Sequence, residues 1–372
     1  MVRCINVHNV NQGLAEGLRL LAHSGVSKSS RNGPVIRCRE PVITTYTDPT
    51  ARVLFSPLRD ANPFFHVMEA LWMLAGRNDL PWLAQFNKNM LSYSDDGGRT
   101  QPGAYGYRWR KHFGYDQLNE VVARLAGDND DRRTVLAMWD AGQHSDPGEY
   151  NAPPIIGDLI NAQFSADVPC NTHAYFEIQD GKLNMTVLCR SNDIWWGAYG
   201  ANAVHFSFLL EYVAAMVGVD VGVYNQFSNN FHIYPGKLPG GAFDAPHRFE
   251  TLQEDARHSD QYTEAAPAHT PRNIPRTPAL LRVPLVSDPE SFNDELNLFM
   301  AGWCVDHTWK NQFFKSVARP MWDAWQAFKM GDFHAAEKHA ESIKAGDWSI
   351  ACCDWLERRN QKRLAKLRNG VG

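Results

Sequence analysis

Residues 203–217, AVHFSFLLEYVAAMV, present apolar side chains around nearly the whole circumference of a helix. A surface helix shows one apolar stripe, whereas a helix apolar on every side has to be enclosed by other elements. This segment therefore demands a core with structure packed on both of its flanks. The chain has the material: 372 residues, 44% of them hydrophobic and 12% aromatic. No uninterrupted apolar run approaches the roughly 20 residues needed to cross a bilayer. The N-terminus, MVRCINVHNVNQG, lacks the apolar stretch of a signal peptide. The expectation is a soluble, cytoplasmic protein without membrane contact.

Elsewhere the periodicities predict both helix and sheet. In NPFFHVMEALWMLAG, Phe64, Val67, Met68, Leu71, Trp72 and Ala75 recur at helical spacing, Gly76 is placed to end the helix, and Glu69 is an acid inside it. RRTVLAMWD reads as a strand. THAYFEIQDGKLNMTVLCRS reads as two alternating strands joined by an Asp-Gly turn. That hairpin sets Cys170 at the mouth of one strand, and Arg190 and Ser191 at the end of its partner. A further strand over VGVYNQFSNNFHIY leads into a Pro- and Gly-rich surface excursion over 235–290. Residues 291–372 have helical spacing and a basic last turn. The predicted architecture is α/β in the α+β sense: a mixed sheet flanked by helices over 1–290, then an α-helical C-terminal extension.

A formal net charge of −4 gives no general attraction to nucleic acid, so an anionic ligand has to be held by local arginines. Small phosphorylated substrates suit such a surface better than a polynucleotide. Seven cysteines at irregular spacing, without paired CxxC sets, argue against both a disulfide framework and a zinc site. No metal is expected.

Cys170, in DVPCNTHAYF, stands between a proline and polar residues. A lone cysteine beside a strand is more often a small buried hydrophobe than a nucleophile. Its company argues otherwise: CRSND brings Arg190, Ser191 and Asp193 together, and DDRRTV adds Arg132 and Arg133. Guanidinium forks with a hydroxyl make a phosphate clamp. Taken alone, DDRR reads as a solvated turn.

Seven blocks in order carry a resemblance: SRNGPV around Arg31, HVMEALWMLAG around Glu69, GAYGYRWR around Tyr105, DDRRTVLAMW, VPCNTHAYF, LCRSNDIWWG and NNFHIY. Together they resemble the thymidylate synthase family, which includes the phage pyrimidine-nucleotide hydroxymethylases. They cover about residues 31–234, and the C-terminal third matches nothing placed in that family. The resemblance implies a thymidylate-synthase-like fold and an enzyme that transfers a one-carbon unit from 5,10-methylenetetrahydrofolate to C5 of a pyrimidine nucleotide. Cys170 is then the nucleophile that adds to C6 of the ring. Arg190, Ser191 and Arg31 are the phosphate grip, with Arg132 and Arg133 donated across a homodimer interface to the partner's phosphate. His232 and Tyr234 hydrogen-bond the sugar 3′-hydroxyl. Glu69 relays protons through ordered water, since an acid in an apolar helix should have a raised pKa. Tyr105 helps organise the water that removes the C5 proton, and Asp193 contacts the folate ring.

Three departures bear on the product. Asn171 follows the nucleophile where the synthases have histidine, Cys189 precedes Arg190 where the family has glutamine, and KNMLSYSDDGG replaces a tryptophan-rich segment. In the synthases that tryptophan shields the intermediate while folate delivers hydride; without the shield, water replaces hydride and a hydroxymethyl nucleotide results. Base choice turns on GAYGAN: with a one-residue insertion Asn202 occupies the family's base-reading position, and without it Ala201 does. A carboxamide matches the N3–H and O4 of uracil, and no acid suited to cytosine stands there under either alignment. The expected reaction is dUMP to 5-hydroxymethyl-dUMP. Methylation to dTMP, hydroxymethylation of dCMP and a non-catalytic nucleotide-binding scaffold stand as the alternatives.

Overall fold

Asp180 and Gly181 both take positive φ, 50° and 72°, which a two-residue turn matched to the twist of its strands requires. They close the hairpin between β6 (Asn171–Gln179) and β7 (Lys182–Cys189), as the Asp-Gly signal predicts. The computed structural model describes residues 1–142, 157–239, 246–263, 280–302 and 307–368. Around the hairpin a six-stranded mixed sheet runs in the order β1-β4-β9-β7-β6-β5, with β1 (Arg3–Val7), β4 (Val42–Tyr46), β5 (Val135–Ala137) and β9 (Asp220–Ser228). A smaller sheet, β2-β3-β10-β8, joins β2 (Val26–Lys28), β3 (Val35–Arg37), β10 (Phe231–Ile233) and β8 (Asn192–Asp193).

The segment VGVYNQFSNNFHIY, predicted as one strand, is two. It divides at Asn229 and Asn230, so β9 belongs to the large sheet and β10 to the small one. The division is functional geometry: it carries His232 away from the large sheet and sets it opposite Asp193 on β8.

Helix α1 (Val10–Ser24) begins at Asn9, whose side chain accepts from the N–H groups of Asn11 and Gln12. Helix α2 (Pro63–Leu74) begins at Asn62, with proline at its first position. Helix α3 (Gln117–Gly127) and the core helix α4 (Asn202–Val217) follow, and every residue from Asn202 to Ala214 is buried. The helical stretch Ile194–Val217 is, among the described residues, the one long and apolar enough to span a membrane. Here its apolar surface is covered by the fold, as residues 203–217 require.

Within the stretch 235–290, described in part, helix α5 (Pro246–His258) packs on α1 through a face that buries Phe249, Leu252 and Ala256. Residues 240–245 and 264–279 of the expected excursion lie outside the described residues. The C-terminal helices α6 (Pro289–Met300), α7 (Arg319–Lys329) and α9 (Gly346–Arg368) close over the outer side of α2, and α8 (Phe333–Glu341) packs on α7 and α9. Phe64 of α2 meets Trp325 and Trp355 at ring distances of 5.6 and 5.7 Å, and Phe86 meets Trp325 at 5.1 Å. Such pairs add about 0.5–1.5 kcal/mol each beyond the area they bury. α2 is therefore clamped between α4 on its inner side and these aromatics on its outer side, which fixes the position of Glu69.

Candidate active site

Cys170 lies half-buried immediately before β6, and its carbonyl accepts the N–H of Arg190 at 2.8 Å. The Tyr105 hydroxyl accepts the N–H groups of both Cys170 and Asn171 at 3.2 Å, which leaves its own proton free to be donated. Tyr105 reaches this position because Gly106 has no side chain: a Cβ there would stand 1.9 Å from the carbonyl oxygen of Met73. Arg190 holds the loop from the other side, with Nε on Pro169 O and Nη2 on Val168 O, each at 2.9 Å. Burial pushes the Cys170 thiol up; the charges of Arg190 and Arg31 oppose that, and Asp167 adds to it. In the free protein the sulfur is a thiol at neutral pH.

Asp167, three residues before Cys170, accepts from Gln101 Nε2 at 2.9 Å and from Gly103 N at 3.1 Å. Burial raises its carboxyl, and its charge reaches Cys170, Glu69 and Tyr105. Glu69 faces inward from α2 towards His205 of α4, with Oε2 and Nε2 3.3 Å apart but not aligned as a hydrogen bond. Burial, with a further contribution from Asp167, lifts Glu69 to about 8, and burial drives His205 down to about 3. At neutral pH a carboxylic acid therefore faces a neutral imidazole.

On the small sheet, Asp193 caps the following turn by accepting from Trp196 N at 2.6 Å, while its Oδ2 is buried without a hydrogen-bond partner. Burial raises this carboxyl against the opposing pull of the Trp196 N–H, His232, Arg59 and the Tyr234 N–H. Arg59 donates to Trp195 O at 2.5 Å and lies 4.6 Å from the Trp196 ring, with burial lowering it to about 10. His232 bonds Asn230 O through Nδ1 at 3.2 Å and meets the Tyr234 ring edge-on at 5.2 Å.

Asn202 begins α4 after a π-helical turn, Ile194–Ala201, in which Tyr199 and Gly200 leave helical geometry. Asn202 Oδ1 accepts from Asn171 Nδ2 at 3.0 Å. Asn171 Oδ1 is left buried and unpaired. Ser191 is half-buried just beyond β7, and Arg31 is exposed in the turn 30–33 before β3.

One chain thus brings together Cys170, Glu69, Tyr105, Asn171, Arg190 and Asn202, with Asp193 and His232 on the adjoining sheet and Tyr234 just beyond its β10. It does not bring in Arg132 and Arg133, which are exposed ahead of the edge strand β5, Arg133 held by Asp131 at 3.0 Å. Asp167, His205, Arg59 and Tyr93 were missed in the sequence. Asp167 stood within the nucleophile's own stretch, and His205 was a polar residue in an all-apolar helix; both carried a signal. Tyr93, whose hydroxyl is raised by burial and by the charges of Asp167, Cys170 and Glu69, carried none.

The thymidylate synthase family model matches residues 57–281, well over half of the chain. The protein belongs to the thymidylate synthase family. Within it, the chain is 44% identical over 364 residues to a deoxyuridylate hydroxymethyltransferase of Pseudomonas phage M6, covering 96% of this chain and 95% of that protein. A deoxyuridylate hydroxymethyltransferase of Bacillus phage SP01 is 37% identical over 54% of this chain and 51% of its own length. A putative thymidylate synthase of Methanothermobacter thermautotrophicus is 33% identical over 59% of this chain and 90% of its own. About two fifths of this chain thus lies outside its alignment with the archaeal synthase, whereas the phage M6 protein aligns with nearly all of it.

Proposed function

We propose that this thymidylate-synthase-family protein is a deoxyuridylate hydroxymethyltransferase, converting dUMP, a one-carbon folate and water into 5-hydroxymethyl-dUMP and tetrahydrofolate. The observation that carries the reading is the match to the phage M6 enzyme along nearly the whole chain, C-terminal helices included.

The chemistry needs a thiolate, and Cys170 has two cations near enough to favour one, Arg190 and Arg31. Once deprotonated, its sulfur forms a bond to C6 of uracil, and the C5–C6 electron pair shifts to C5. Tyr105 and Arg190 hold the backbone on either side of the sulfur, so attack requires no reordering of the loop. Asn202 keeps one lone pair and one N–H beyond its protein partners, the complement of uracil N3–H and O4. Glu69, neutral at pH 7, donates a proton as the ring becomes an enolate and takes one back as C5–H is lost.

Two features beside the small sheet support 5,10-methylenetetrahydrofolate as the one-carbon donor. Asp193 Oδ2 is a buried acceptor without a well-aligned protein hydrogen bond, the Tyr234 N–H being the backbone donor near this carboxyl besides Trp196, and Trp196, half-exposed and backed by Arg59, offers a flat apolar wall beside it. When bound, that group supplies one carbon at the oxidation level of formaldehyde. Asn171 Oδ1, unpaired beside the nucleophile, holds a water through its O–H, and that water provides the hydroxyl. No hydride is consumed, so no dihydrofolate accumulates.

We further propose a homodimer in which Arg132 and Arg133 reach the partner's phosphate site, supported by their exposure at the edge of the large sheet away from Cys170 in their own chain. The free thiols of the described cysteines suit the reducing cytoplasm. Release of tritium from C5-labelled dUMP in the presence of methylenetetrahydrofolate tests the reading. Release that disappears in Cys170→Ala supports it; no release from an intact, nucleotide-binding protein would leave a non-catalytic scaffold.

A further inference from the structure

A buried chain of side-chain amides runs from the nucleophile loop into the large sheet. Asn171 Nδ2 donates to Asn202 Oδ1 at 3.0 Å, and Asn202 Nδ2 to Asn192 Oδ1 at 3.0 Å. Asn192 Nδ2 donates at 2.9 Å to both Gln226 Oε1 and Ser228 Oγ, and Gln226 Nε2 to the Tyr224 hydroxyl at 3.0 Å. All six side chains are buried. Every donor points away from Cys170.

A carboxamide in such a chain cannot turn over alone. Doing so would set oxygen against oxygen and N–H against N–H at both its contacts and leave buried groups unpaired. The donor–acceptor order that Asn202 shows to a base is therefore set beyond Asn202. One order suits N3–H and O4 of uracil; the reverse suits N3 and the N4 amino group of cytosine. Two features anchor the order at Asn192. Its nitrogen has two acceptors, and its contact with Asn202 is covered by bare backbone: a Cβ at Gly197 would stand 2.8 Å from Asn192 Oδ1 and 3.3 Å from Asn202 Nδ2.

We infer that Asn192, held by Gln226 and Ser228, is the positioning residue that fixes the carboxamide of Asn202 and so selects uracil over cytosine. The inference rests on the assignment of Asn202 as base reader made above, and touches no reacting atom. Asn192→Leu keeps similar bulk but frees the nitrogen of Asn202. Asn192→Asp keeps an acceptor towards it, while the Ser228 hydroxyl and the Gln226 amide turn to donate.

The test compares dUMP with dCMP in two ways for wild type and both variants: Kd by calorimetry, and kcat/KM from tritium release at C5. In Asn192→Leu the preference for dUMP should fall by about tenfold or more, the worth of one well-made buried hydrogen bond. In Asn192→Asp it should stay within about threefold of wild type. A parallel loss for both nucleotides with the ratio unchanged, or an equal loss of preference in both variants, overturns the inference. If Asn192→Leu does not fold, judged by its thermal transition, Ser228→Ala removes one of the two anchors and should narrow the ratio; an unchanged ratio overturns the inference there too. A wild-type protein that prefers dCMP contradicts the proposed substrate instead, and the relay is then read as a narrowing of that opposite preference in Asn192→Leu.

Discussion

Two regions bury carboxyl groups in this protein and treat them in opposite ways. Where the C-terminal third meets the rest of the chain, both oxygens of each acid are matched. Glu211 accepts from Leu285 N at 2.8 Å and from Arg52; Asp347 accepts from Trp348 N at 2.8 Å and from the Tyr262 hydroxyl at 2.9 Å; Glu295 accepts from Lys310 N at 2.6 Å and from Asn311 N at 3.0 Å. In the pocket around Cys170, Glu69 Oε2 and Asp193 Oδ2 are buried without a hydrogen bond, as is the carboxamide oxygen of Asn171. A buried carboxyl group that only has to be stable has both oxygens paired, even where, as at Trp325 and Trp355 of the junction, indole N–H groups are buried without a partner. The junction therefore reads as construction, and the pocket as a surface whose missing partners arrive with substrate.

The contrast can be broken from either side. Cys170→Ser should lower turnover by about 10⁴-fold or more, while calorimetric dUMP affinity stays within about threefold, since the sulfur bonds the ring only during reaction. Glu69→Gln should cost about 10²–10⁴-fold in kcat. It should also change how stability depends on pH. Between 4.5, the ordinary value, and about 8, the unfolded chain has lost the Glu69 proton and the native state has kept it. Wild-type stability therefore carries a contribution that falls as pH rises through this window, and the Glu69→Gln variant lacks it. Denaturant melts at pH 5 and pH 8 should show the variant gaining on wild type at the higher pH.

At the junction the expected effects reverse. Trp355→Ala should destabilise by about 3–5 kcal/mol in urea unfolding, because it opens a cavity among Phe64, Trp325 and Phe328. The kcat of the folded fraction should fall by far less than in Glu69→Gln, because Trp355 reaches Glu69 only through α2 and touches no reacting group. The smallest effect is expected at Arg133→Ala, a rise in KM for dUMP of about tenfold. Mixing Arg133→Ala with Cys170→Ser should recover activity if the arginine serves the partner's site; mixtures no better than their parents would refute the shared site.

Legibility followed sequence distance. The hairpin that mounts Cys170 was readable because an Asp-Gly turn and two alternating strands are local signals. The enclosed helix was readable because its apolar circumference admits one environment. The division of β9 from β10 was not, since what separates them is pairing with β4 and β7 on one side and with β3 and β8 on the other. Asn192 stood within a motif yet had no visible task. Its role appears only when β8 pairs with β10 and α4 brings Asn202 within reach. The packing of the C-terminal aromatics on α2 was equally hidden, because no period in either segment names the other.

The most direct test of the central claim is to incubate the purified protein with dUMP and methylenetetrahydrofolate, weigh the nucleotide product by mass spectrometry and follow absorbance for dihydrofolate. The account predicts a hydroxymethyl nucleotide and no dihydrofolate. A methyl nucleotide with one dihydrofolate per turnover would contradict it, and would mean that the pocket around Asn171 excludes the water assigned to it.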